Sequence, residues 1–154
     1  MKKIILLPAL FVITFGFGQN SKVFDFKDLK NIGSAKLFKK FCFDKEFVKV
    51  KNIPNFELIY AQGYDSDTEQ ANVWAKYSPK KRGFWIQLFR SYDGSANKSF
   101  ENVLNQVKKV CKFYDFKDSG NDEYICYSCP NSSYKGKIGF LRSEESDIIA
   151  IFDF

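Results

Sequence analysis

The second half of the chain contains the clearest helical pattern of hydrophobic residues. Six apolar residues fall on one stripe at helical spacing: Phe100, Val103, Leu104, Val107, Val110 and Cys111. The side-chain oxygen of either Asn97 or Ser99 can accept the unpaired amide hydrogens of the first turn. At the other end, Lys108, Lys109 and Lys112 suit the negative end of a helix dipole. These features predict an amphipathic helix.

Two shorter helical segments are predicted in the first half. A helix follows Gly33-Ser34 and carries four apolar residues: Leu37, Phe38, Phe41 and Cys42. A helical turn from Asp25 to Asn31 precedes it, with Phe26 and Leu29 facing inward.

Six segments alternate between apolar and polar positions, which is typical of strands with one buried face. They are 55–60, 73–77, 84–89, 122–127, 137–141 and 148–154. Turn-forming residues separate neighbouring segments, so antiparallel pairing is expected. If Tyr77 pairs with Phe84 across the turn at 78–83, Lys76 lies opposite Trp85 and Trp74 lies opposite Gln87.

The order of these elements repeats along the chain. The segment Lys39–Cys42 recurs as Lys108–Cys111, and each half, about 34–90 and 97–154, then has three strands. The sequence therefore predicts an α+β fold in which a duplicated α-β-β-β unit forms a six-stranded antiparallel sheet with two helices on one face. The alternative is a coincidence between two ordinary α+β stretches.

The alternation assigns each apolar strand residue to one of two faces. The face under the helices should hold Phe56, Leu58, Tyr60, Val73, Ala75, Tyr77, Phe84, Ile86, Leu88, Ile125, Tyr127, Cys129, Ile138, Phe140, Ile149 and Ile151. The other face mixes Lys76, Gln87, Lys135 and Lys137 with apolar residues: Trp74, Trp85, Phe89, Leu141, Ile148, Ala150, Phe152 and Phe154. A solvated face should be mostly polar. We therefore expect residues 20–33, a second copy, a partner or a ligand to cover part of it.

The N-terminus has the pattern of a secretory signal peptide. Lys2 and Lys3 precede a mostly apolar run at 4–17, and Gly16-Phe17-Gly18 places small residues before Gln19. Cleavage there predicts a secreted or periplasmic chain with one domain at 19–154 and no membrane span. A buried N-terminal helix or strand is the alternative reading.

The amino-acid composition excludes several kinds of catalytic and metal-binding site. The chain has no histidine, so Ser-His, Cys-His and His-metal sites are excluded, and we expect no metal or other cofactor. The formal charge is +6, and loss of Lys2 and Lys3 with the leader lowers it to +4, which argues against a nucleic-acid partner. A pair of carboxylates could still act in hydrolysis.

Four cysteines in an exported chain predict disulfides, with three possible pairings of two bridges. Cys126 and Cys129 have the spacing of a redox pair, but they lie in or at the end of a strand and alternate between its faces. Cys129 shares the inward face with the end of the helix that carries Cys111. We therefore expect a Cys111–Cys129 disulfide and leave the state of Cys42 and Cys126 open.

Two groups of side chains are candidates for ligand binding. Tryptophan, amide and cationic side chains could form a sugar-binding face: Trp74, Lys76, Trp85, Gln87 and Arg90. The hairpin tip could contact anions through Lys80, Lys81 and Arg82. The alternatives are core or dimer packing for the first group and a solvated turn for the second. The acidic loop at 65–69 lacks the glycine and glutamate of a calcium loop.

Three short motifs carry a family resemblance. They are Lys109-Val110-Cys111, Tyr127-Ser128-Cys129-Pro130 and Lys137-Ile138-Gly139-Phe140. In these, and in its Phe-rich leader, the chain resembles small exported Bacteroidota proteins of unassigned function. The doubled helix-and-sheet unit is also similar in architecture to secreted β-lactamase inhibitor proteins, a likeness that implies no function.

Three functions fit these observations. The first is a non-enzymatic module that binds a protein or glycan through the apolar sheet face or the basic hairpin. The alternatives are a hydrolase that uses a carboxylate pair and a structural homodimer of the cell envelope.

Overall fold

The computed structural model describes residues 22–50, 56–81, 83–91, 97–119, 122–129 and 137–152. The predicted signal peptide at 1–18 and its cleavage site lie outside these residues. So do Arg82, Lys135 and Phe154, which the sequence placed at the hairpin tip or on the outer sheet face.

Three helices and one large sheet make up the described fold, so the predicted α+β class is confirmed. The helices are α1 (Phe26–Leu29), α2 (Ala35–Asp44) and α3 (Lys98–Val110). The strands are β1 (Val48–Lys49), β2 (Leu58–Gln62), β3 (Val73–Ser78), β4 (Gly83–Phe89), β5 (Lys112–Ser119), β6 (Asp122–Ser128), β7 (Lys137–Arg142) and β8 (Ser146–Phe152).

The sheet has eight antiparallel strands in the order β1-β2-β3-β4-β8-β7-β6-β5, so the predicted number of six strands was wrong. Each half is a helix followed by a four-stranded meander, and β4 pairs with β8 to join the halves. The two missed strands lie at the sheet edges. β1 has only two residues. β5 mixes charged and aromatic residues, and its residues 112–116, the part whose burial the structure describes, are all exposed, so neither strand shows the expected alternation.

In each of the two longer helices, a side chain caps the first turn. Ser34 Oγ accepts from the Leu37 N–H at 3.3 Å, and Asn97 Oδ1 accepts from the Ser99 N–H at 2.9 Å. The sequence left Asn97 and Ser99 as alternative caps for α3. The structure selects Asn97, because Ser99 Oγ instead accepts from the buried Phe24 N–H at 3.1 Å.

Asn97→Ala is expected to lower the free energy of unfolding by about 1 kcal/mol, because an amide hydrogen in the first turn of α3 loses its acceptor. Urea unfolding followed by circular dichroism measures the change. Asn97→Asp is the control, since its carboxylate can accept the same hydrogen bond and should retain most of the stability. Equal stability of Asn97→Ala and the wild type would contradict this role for Asn97.

The main core lies between the helices and one face of the sheet. The fully buried Phe38 of α2 contacts the rings of Tyr60, Tyr77 and Phe84 at centroid distances of 6.0, 5.4 and 5.7 Å. Phe100 of α3 packs edge-on against Phe140 of β7 at 5.7 Å. Helix α2 therefore covers the first half of the sheet and α3 the second.

Most residues predicted for this core lie in it, with two exceptions. Phe56 precedes β2, outside the regular alternation, and its ring contacts Trp85 on the other face. Ile125 of β6 is 43% exposed, although Tyr127 of the same strand packs against the main core.

The opposite face of the sheet, here called the outer face, carries a smaller apolar cluster. Its buried members are Tyr124, Cys126, Ala150 and Phe152, with Trp85, Leu141 and Ile148 packed against them. Gly139 lies among these residues, where an added Cβ would come within 3.2 Å of Tyr124 Cβ and 3.3 Å of the Phe152 ring. The absence of a side chain at Gly139 thus allows the cluster to close.

The predicted Cys111–Cys129 disulfide is confirmed. It joins the residue after α3 to the residue after β6. Cys42 and Cys126 are buried thiols in the main core and in the outer-face cluster, respectively, so they lie on opposite sides of the sheet. Burial raises the pKa of the Cys42 thiol, which keeps it protonated and unreactive.

Candidate functional site

Four of the predicted ligand-binding residues meet on the outer face of β3 and β4. The predicted register is confirmed: Lys76 is opposite Trp85, and Trp74 is opposite Gln87. All four side chains are partly buried. Antiparallel pairing brings directly opposite side chains within about 5 Å at Cβ, so these residues form one compact block.

Lys76 and Gln87 are joined by a hydrogen bond in this block. The Lys76 ammonium donates to Gln87 Oε1 at 3.2 Å, and Gln87 Nε2 donates to Ser146 Oγ at 3.3 Å. Burial lowers the pKa of Lys76 below its usual value, because the charged ammonium is partly removed from water. In the part of the chain that the structure describes, the contacts of this ammonium are a neutral amide oxygen and an aromatic ring.

Phe56 and Lys81 complete what we call the aromatic–cationic cluster: Phe56, Lys76, Lys81 and Trp85. The Phe56 and Trp85 rings meet edge to face with centroids 5.8 Å apart. The Lys76 and Lys81 ammonium groups lie 5.9 and 5.7 Å from the Phe56 centroid, and Lys81 lies 5.8 Å from that of Trp85. Sequence reasoning missed Phe56 because it extended strand alternation beyond the start of β2 at Leu58.

A cavity of about 490 Å³ opens beside this cluster at the β3–β4 hairpin. It is lined by Phe56, Glu57, Ser78, Pro79, Lys80 and Lys81. Ser78 Oγ accepts from the Lys81 N–H at 3.3 Å, which holds the start of the turn. The basic hairpin and the aromatic face, considered separately in the sequence, are therefore one continuous surface.

Arg90 does not join the other predicted residues. Its Nη2 donates to Asp147 Oδ1 at 2.8 Å, and the Asp147 side chain is fully buried. Asp147 is opposite Leu88, a core residue. Arg90 therefore neutralises a buried carboxylate at the end of the main core, which is a structural role.

A second cavity, of about 620 Å³, lies at the Trp74 end of the block. Trp74 and Phe89 form its apolar wall, and the loop at 63–72 forms its polar wall. Asp65 in that loop accepts hydrogen bonds from the Asp67 N–H and the Thr68 hydroxyl, which lower the pKa of its carboxyl. These bonds hold the loop closed, as expected for a polar hairpin.

The described residues contain no group of three or more potential metal ligands and no helix long and apolar enough to cross a membrane. The chain has no significant match among protein-family models, curated proteins or solved structures.

Proposed function

We propose that the protein is an exported, non-enzymatic binding module whose ligand is an acidic glycan held on the aromatic–cationic cluster. The single observation that carries the proposal is the half-buried Lys76 ammonium, whose contacts among the described residues are a neutral amide oxygen and the Phe56 ring. A partly desolvated charge without an opposite charge is unfavourable. An anionic ligand would supply that charge.

The cluster offers the two kinds of contact that an acidic sugar needs. The Trp85 and Phe56 rings provide apolar surface for the C–H face of a pyranose ring. The Lys76 and Lys81 ammonium groups lie near the same rings and can donate to a carboxylate or sulfate. The cavity of about 490 Å³ is within the usual range for small-ligand sites.

Export is supported by the leader pattern and by the disulfide. The basic start and small-residue end of residues 1–18 are typical of a cleaved signal peptide, which supports a location in the periplasm or outside the cell. The Cys111–Cys129 bond is of the kind that persists in oxidising compartments.

The two halves, we further propose, arose by duplication of a helix-plus-meander unit. The element order α-β-β-β-β occurs twice, one strand longer than the unit predicted from the sequence. The strand order is also symmetric about the β4–β8 pair.

Lys76→Met is expected to weaken binding of an oligogalacturonate about tenfold, because a charge-assisted hydrogen bond is lost. Isothermal titration calorimetry of the oligogalacturonate and of a neutral malto-oligosaccharide measures this effect and the preference for acidic sugar. For the wild type, affinity should also fall as the pH rises through the lowered pKa of Lys76, since the ammonium then loses its charge.

Lys39→Met is the matched control for charge, because Lys39 is exposed on α2, away from the cluster. Trp85→Leu tests the stacking surface separately and should weaken both acidic and residual neutral binding. Equal affinity of the Lys76 and Lys39 variants, or equal affinity of the wild type for both sugars, would refute the acidic-glycan site.

A further inference from the structure

Strand β5 ends the strand order of the described sheet, with β6 as its neighbour there. It has eight residues, Lys112–Ser119. A strand in this position presents backbone N–H and C=O groups that can pair with another chain. Native proteins usually protect such edges with charged residues or bulges. β5 has a bulge between Phe113 and Asp115, but it also exposes three aromatic residues, which calls for an explanation.

The exposed hydrophobic residues of the described chain concentrate at this edge. Phe113, Tyr114 and Phe116 of β5 are each more than half exposed, and Ile125 of β6 and Val110 at the end of α3 are also exposed. These are five of the ten exposed large hydrophobic residues among those described. The Phe113 ring contacts Phe116 at 5.3 Å, so these two exposed rings form one connected patch. Such a patch is typical of a protein–protein interface.

The basic residues around β5 lie mainly at its start and the acidic ones at its end, although Asp115 and Lys117 alternate in sign within the strand. The strand starts at Lys112, just after Lys108 and Lys109 of α3. Near its other end Asp118 is paired in register with Glu123 of β6, and the last residue, Ser119, with Asp122. A two-fold axis perpendicular to the strand would therefore place the basic start of each copy beside the acidic end of the other. This contact occurs at both ends of the paired strands.

We propose that a second copy of this chain pairs with β5 in antiparallel orientation and joins the two eight-stranded sheets into one. We place the two-fold axis at Phe116, so that Phe116 of one copy is directly opposite Phe116 of the other. This register also sets residue 115, an aspartate, opposite residue 117, a lysine, on both sides of the axis. An axis at residue 115 would instead oppose two aspartates, which is unfavourable.

One local bond must be exchanged when the copies pair. In the single chain the Phe116 N–H donates to Asp115 Oδ1 at 2.8 Å. Pairing through this amide would replace that bond with one to the other strand, so the net gain comes mainly from burial of the aromatic patch. A reversible, concentration-dependent dimer is the expected form.

Sedimentation velocity over a series of protein concentrations tests the proposal. The wild type should shift from monomer to dimer, and Phe116→Lys should remain monomeric because it places two like charges at the axis. Phe43→Lys is the matched control, since Phe43 is 82% exposed on α2 and adds the same charge elsewhere. Circular dichroism of both variants confirms that they fold.

Cross-linking tests the register. Phe116→Cys should form an intermolecular disulfide on mild oxidation, because the Cα atoms of a hydrogen-bonded antiparallel pair lie about 5.5 Å apart, a separation that a disulfide commonly spans. Phe43→Cys should not exceed the wild-type background. A wild type that stays monomeric overturns the proposal, as does a dimer that survives Phe116→Lys or gives no cross-link at residue 116. A dimer that survives Phe116→Lys, or that gives no cross-link at residue 116, would use another surface.

Discussion

Arg90→Met is expected to lower the free energy of unfolding by about 3–5 kcal/mol, because it leaves a buried carboxylate without its cation. Asp147 is fully buried, and Arg90 Nη2 lies 2.8 Å from its Oδ1. Methionine fills much of the arginine volume but cannot neutralise the charge. The decrease in the free energy of unfolding therefore measures the cost of leaving the desolvated Asp147 carboxylate without a cation, rather than the cost of a cavity.

Arg142→Met is the matched control for this prediction. Arg142 Nη2 lies 2.7 Å from Glu101 Oε1, but the two side chains are 49% and 39% exposed. An exposed ion pair contributes about 0–1 kcal/mol, so this variant should remain close to the wild type. Urea unfolding of both variants under the same conditions gives the comparison. Similar losses for the two variants would show that burial of Asp147 does not determine the effect.

Removal of the disulfide with the double variant Cys111→Ala/Cys129→Ala is expected to lower the free energy of unfolding by about 3 kcal/mol. The bond closes a loop with a sequence separation of 18, and the chain-entropy relation gives this magnitude for such a loop. It ties the end of α3 to the end of β6, so residues near the β5 edge should show the largest increase in hydrogen exchange.

A reductant supplies the control for the disulfide prediction. It should destabilise the wild type by a similar amount and leave the double variant unchanged, because Cys42 and Cys126 are buried thiols rather than a disulfide. If the reductant also destabilised the double variant, the loss could not be assigned to Cys111–Cys129. Unchanged unfolding of the double variant would contradict a stabilising role for the bond.

Much of the fold could be predicted from periodicity alone. Strand alternation has a period of two, so a single turn between Tyr77 and Phe84 determined that Lys76 would oppose Trp85. Cys129 could be assigned to the inward face, toward Cys111, by the same argument. Alternation failed where one face is not consistently buried, as in the edge strand β5, and where it was extended past the strand end to Phe56.

The candidate site was predictable only in part, for a related reason. Trp74, Lys76, Trp85 and Gln87 share a face because they lie within regular strands. Arg90 follows the last residue of β4, where its Asp147 partner comes from β8, far along the chain. No local pattern indicates such a contact.

The sequence by itself determined the fold class, the antiparallel pairing of neighbouring segments, the caps available to α3 and the Cys111–Cys129 bond, since each depends on periodicity or on short-range chemistry. Only the tertiary structure decided that β4 pairs with β8, that Phe56 and Lys81 gather at Trp85, and that β5 carries its aromatic residues at the edge of the described sheet. Those features depend on which distant segments meet, and the free energy of such contacts is spread over many residues rather than encoded in any one segment.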